Sequence, residues 1–92
     1  MSTIQTKTFT TELTNGTLTI DPSWGIRAIS IFCNSTTSGT VTGDANLPNF
    51  PSTSLTIDQD KSIGFEAIGT GVLNGLIITA PSGCTLQIIA QI

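Results

Sequence analysis

Eight side chains in this sequence ionise to a carboxylate or a thiolate: Glu12, Asp21, Asp44, Asp58, Asp60, Glu66, Cys33 and Cys84. Two carboxylates held a few ångströms apart can share the acid and base work of glycoside hydrolysis. Here each carboxylate falls in or beside a turn, or on an outward strand face, where a solvated carboxylate is ordinary. A Ser or Cys nucleophile needs an activating base beside it. The chain has no His and no Tyr, so the commonest base and metal ligand is missing. Two cysteines without a histidine fall short of a zinc ligand set. The residues therefore predict a protein that is not an enzyme, with no catalytic, metal or cofactor residues.

Three short motifs resemble sites and are better read as turns. Asp58-Gln59-Asp60-Lys61-Ser62 alternates oxygen donors but lacks the central Gly and closing Glu of a calcium loop. Asp side chains bonding their own backbone explain it as well. Gly69-Thr70-Gly71 is followed by neither Lys nor a helix, so it is no phosphate loop. Asn15-Gly16-Thr17 and Asn34-Ser35-Thr36 match the glycosylation pattern, which matters only for a secreted chain. The start, Met1-Ser2-Thr3-Ile4-Gln5, lacks the basic and apolar regions of a signal peptide, so synthesis in the cytoplasm is expected. Cys33 and Cys84 then read as buried free thiols, with an inter-strand disulfide the alternative.

The charge balance excludes further classes. Net charge is −3, and Lys7, Arg27 and Lys61 are the only basic residues. Phosphate neutralisation needs several clustered cations, so no nucleic-acid partner is expected. Apolar runs at 26–33 and 86–92 are far shorter than the roughly 20 residues of a spanning helix, so no membrane partner is expected either. Only 10% of residues are charged and mean hydropathy is +0.28. Free monomers usually carry more surface charge, which points to a surface partly covered by protein partners.

The 92 residues suit one domain, 1–92. Thr is the commonest residue, apolar positions recur mostly every second residue, and turn signals come about every ten. The fold class expected is all-β: a small antiparallel β-sandwich of about eight short strands, for which a jelly roll is one arrangement. Asn15-Gly16 predicts a type I′ hairpin pairing Leu13 with Leu18, which puts Phe9, Leu13, Leu18 and Ile20 on one buried face. Further hairpins are predicted around 58–61 and at Asn74-Gly75, with a last turn at Pro81-Ser82-Gly83. Residues 26–33 read as a central strand buried on both faces.

Candidate binding residues follow from what the core pattern leaves over. Trp24, after Asp21-Pro22-Ser23, either caps the end of the core or serves as a ligand platform. Leu47 and Phe50 lie on a Pro-broken stretch at 43–52 that cannot join a central sheet, so they tuck inward or dock on a partner. Phe50 is also a candidate platform with Trp24. Ile4, Thr6 and Thr8 lie in a first segment, 1–8, read as a contact arm or edge strand. Ile89, Gln91 and Ile92 form an apolar contact row if Leu86, Ile88 and Ala90 face the core, with the last strand as a second edge.

A short Thr-, Ser- and Gly-rich chain with segments such as Leu73-Asn74-Gly75-Leu76-Ile77-Ile78-Thr79-Ala80-Pro81 resembles small virion proteins of tailed bacteriophages. The likeness is to head decoration (cement) proteins, or to small β-domains of tails and fibres. It covers the chain in style, carries no functional residue across, and departs from larger decoration proteins in having no long arm. The resemblance implies a structural protein located in the virion, binding the major capsid or another virion protein and forming homo-oligomers. The alternative is a fibre-tip or lectin-like module recognising a cell-surface glycan.

Overall fold

The computed structural model describes residues 8–43, 54–67 and 71–92. It is all-β and antiparallel, as the residue pattern predicts. In chain order the strands are β1 (Thr8–Thr19), β2 (Ala28–Cys33), β3 (Gly39–Thr42), β4 (Leu55–Ile57), β5 (Ser62–Glu66) and β6 (Ile77–Gln91), with one 3-10 turn at Pro22–Trp24.

Two long strands organise the rest. β6 lies between neighbours on both edges: β1 runs along one, and β2 and β3 share the other. Ile88 thus faces both Thr11 and Ile31, while Ile78 faces both Leu18 and Val41. The outer strands complete two four-stranded halves. One runs β1, β6, β2, β5 and uses 8–14 and 85–91 of the long strands; the other runs β1, β6, β3, β4 and uses 16–19 and 77–80. Because β1 and β6 each serve both halves, six strands give eight strand segments, the jelly-roll arrangement.

Asn15-Gly16 forms a bulge at the corner between the halves, not the hairpin its sequence predicts. A type I′ turn needs positive φ at both central residues, and of the two only Asn15 has it, at 50°. The register steps from Thr14↔Thr85 to Gly16↔Ala80, so Asn15 stands against four residues of β6, 81–84. One extra residue flips the facing of everything beyond it. Leu13 and Leu18 therefore both pack on the core within one strand, which is the facing the hairpin was invoked to explain. On β6 the corner residue Gly83 has φ 85°, and Pro81-Ser82-Gly83 bends a strand that continues on both sides.

The other two predicted hairpins are also crossings between halves. β4 pairs with β3 and β5 with β2, so the turn at 58–61 joins strands that are not partners. Lys61 N–H closes it onto the Asp58 carbonyl at 3.0 Å. Around Gly75 (φ 94°) the backbone bonds back to Ile20, through Gly75 N–H to its carbonyl and Ile20 N–H to the Leu76 carbonyl, each at 2.8 Å. β2 is central but buried on one face: Ile29, Ile31 and Cys33 point inward, while Ser30 is exposed and Phe32 half-buried.

The two halves enclose one core that includes Ile20, Ile31, Val41, Ile57, Leu73, Ile78, Leu86 and Ile88. Gly39 sits at its tightest point, where an added Cβ would lie 2.7 Å from Leu86 Cδ1 and 3.1 Å from its Cγ. At Gly16 the nearest side-chain atom would be an ordinary 3.6 Å away. Gly39→Ala should therefore lower stability by about 1–3 kcal/mol through overpacking, whereas Gly16→Ala should stay within about 0.5 kcal/mol of the parent. Urea unfolding of the two variants side by side checks this contrast.

Candidate functional site

An apolar cleft of about 390 Å³ opens between the strands. Strand β1 supplies Thr11 and Leu18, followed by Ile20; the 3-10 turn supplies Trp24, and Ile26 follows it. Ile29 of β2, Ile88 and Ala90 of β6, and the end residue Ile92 close the rest. Its side-chain polar atoms are the Thr11 hydroxyl and the Trp24 indole N–H. The volume falls within the range of ligand and docking pockets, but such pockets usually carry several convergent polar groups. This cleft can accept apolar matter and has almost nothing with which to orient a polar ligand.

Local chemistry places Trp24 at the rim. Asp21 caps the turn by accepting a 2.8 Å hydrogen bond from Ser23 N–H; the Ser23 side chain first, and this backbone bond second, hold its carboxyl below the ordinary value. Pro22 fixes the first φ of the turn. Gly25, at φ 70°, ends it by donating to the Pro22 carbonyl at 3.2 Å. The indole is left 44% exposed, so Trp24 neither seals the core nor stands clear of it. Ile92, 39% exposed, reaches the same rim, with its Cγ2 3.8 Å from where a Cβ on Gly25 would be.

The expected contact row on the last strand divides. Leu86, Ile88 and Ala90 are buried and Ile89 is 45% exposed, as the alternation predicts. Ile92, however, lines the cleft, whereas Ile89 and Gln91 border a shallow groove on the opposite face with Ala28 and Ser30. An alternating strand cannot bring Ile89 and Ile92 to one face. Nor is the last strand an edge: β1 and β2 occupy both of its sides. Among the described residues the first strand is an edge, for there it pairs with β6 alone. Ile4, Thr6, Leu47 and Phe50 lie outside the described residues, as does the side chain of Thr8. The cleft itself was not foreseen, because Thr11 and Ile92 come from opposite ends of the chain and only the register joins them.

The ionisable groups are dispersed. Among the described residues no three His, Cys, Asp or Glu side chains come together. The Asp58-to-Lys61 segment is a turn closed by its own backbone bond from Lys61 N–H to the Asp58 carbonyl, with Asp60 at φ 63°; the Asp58 carboxylate accepts a 2.8 Å hydrogen bond from the Ser38 hydroxyl outside it. Cys33 and Cys84 are free and buried. The Cys33 thiol lies 3.4 Å from the Thr37 carbonyl and 3.6 Å from the Ser35 hydroxyl, and that hydroxyl also accepts from Thr85 N–H at 2.9 Å. Burial pushes the Cys84 thiol above its ordinary 9.0, with the neighbouring Cys33 thiol adding to the rise.

A raised thiol pKa means that the folded chain holds its proton more tightly than the unfolded chain. The associated stability is whole below the unfolded pKa and is lost as pH climbs through the folded one. The melting temperature should therefore drop above pH 9 in the parent, and by less in Cys84→Ala compared with its own value at pH 8. Both thiols should resist a disulfide reagent at pH 8 until denaturant is added.

No family model and no curated protein matches this chain. Among solved structures, a de novo designed double-stranded β-helix, determined by solution NMR, is similar over 94% of this chain and 99% of its own, with 12% identity and a TM-score of 0.55. At that identity the likeness shows the fold alone.

Proposed function

We propose that this chain is a non-catalytic virion structural protein, a decoration protein that binds the head surface of a tailed bacteriophage and stabilises it. One observation carries the packing part of this reading: an open, almost wholly apolar cleft with Trp24 and Ile92 standing at its rim. Clefts of this kind suit a partner's apolar side chains, and buried Trp anchors often dominate the energy of such contacts. The low charge and the dispersed acids support the same reading. The virion setting comes from the sequence resemblance.

A glycan-binding module remains the second reading, favoured by the half-exposed Trp24 ring. A sugar stacked there would also need hydrogen-bond partners around the ring. The cleft offers one hydroxyl and the indole N–H itself, too few to hold a sugar's hydroxyls, so the apolar partner is preferred.

The test is co-sedimentation with a panel of tailed-phage heads stripped of their decoration proteins, with a glycan array in parallel. The proposal expects binding to at least one head. Trp24→Ala or Ile92→Asp should weaken that binding by about 2 kcal/mol or more, and Trp24 emission should shift to the blue on binding. Absence of binding to every head, together with Trp24-dependent array hits, would replace this reading with the glycan one.

A further inference from the structure

The sheet has three edge strands among the described residues, and they differ in kind. β4 has three residues and leads into the turn carrying Asp58, Asp60 and Lys61; β5 has five and ends at the exposed Glu66. Short, charge-flanked edges discourage pairing with another chain. β1 runs for twelve residues, contains no Pro or Lys, and carries Glu12 as its one charge. No described strand pairs with its outer edge. Thr11, exposed on its inner face, opens directly into the apolar cleft.

We propose that the straight part of β1, residues 8–14, pairs antiparallel with the same segment of a second copy, about a two-fold axis at Thr11. This deepens the packing role proposed above and rests on it, naming a second copy as the partner at this edge. β1 meets its own requirement for a partner: an extended, nearly uncharged strand in unbroken register from Thr8 to Thr14, with an outer edge that no other described strand occupies. A two-fold axis presents identical patches to each other. With the axis at Thr11, Glu12 faces the partner's Thr10, so no like charges meet across the pair.

Seven residues of strand extend about 24 Å, and two strand edges meeting over that length form a small contact, at the low end of specific interfaces. The dimer should therefore dissociate on dilution.

Sedimentation equilibrium from about 1 μM to 1 mM, with residue-resolved amide exchange at the upper concentration, reads the outcome. The expected result is a monomer–dimer equilibrium, with consecutive amides of 8–14 protected. β6 alone would protect only alternate ones. Thr10 is exposed and does not line the cleft, so its charge variants probe this register apart from head binding. Thr10→Glu should weaken the dimer about tenfold and Thr10→Lys should tighten it, through the two symmetric contacts with Glu12. A monomer at 1 mM, alternate protection in the dimer, or equal effects of the two variants would each overturn the proposal. Head binding by a monomer would overturn this inference alone, and a dimer that binds no head would overturn the decoration reading alone.

Discussion

Everything in this molecule hangs on the antiparallel pairing of the first and last strands, bent together at one corner. β6 can sit at the centre of both halves only if β1 follows it through the bend. The bend is possible because Asn15 takes a left-handed conformation opposite the four-residue excursion at 81–84. Asn tolerates that conformation better than most residues do. The resulting parity switch keeps Leu13 and Leu18 on the same side and lets Ile78, Ala80, Cys84 and Leu86 all face inward along β6.

The same constraint explains how much of the fold could be read from residues. Alternation correctly placed Leu86, Ile88 and Ala90 inside and Ile89 outside, because the period of a strand is local information. Turn chemistry marked Asn15-Gly16 and Asn74-Gly75 as turn positions, but only Asn15 and Gly75 of those four residues take the positive φ that a type I′ turn needs at both of its centres. What residues could not supply was the partner across each turn. A two-residue hairpin and a corner bulge demand the same facing of Leu13 and Leu18. The choice between them is made by β6, some seventy residues further along the chain. β2 was read as buried on both faces because Ala28 and Phe32 are apolar, yet their outer face is only half covered.

The candidate site follows from this topology more than from any motif. Trp24 was legible as a special residue because Asp21, Pro22 and Gly25 frame it with turn chemistry. The cleft was not, since its walls come from β1, β2, β6 and the chain's last residue. Ile92 was assigned to the outer row with Ile89 because both are apolar near the end, but pleating sends them to opposite faces. The apolar opening contrasts with the Thr-rich outer face of β1, where Thr10, Thr14, Thr17 and Thr19 are exposed.

The most direct test of this account is a set of cross-strand nuclear Overhauser contacts on isotopically labelled protein. The bent-pair arrangement predicts contacts from Thr11 to Ile88 before the corner and from Leu18 to Ile78 beyond it, both within one continuous β1. Contacts linking Leu13 to Leu18 and Thr14 to Thr17 in their place would show that Asn15-Gly16 closes a hairpin. In that case the central position of β6, the two halves and the cleft between them would all be wrong.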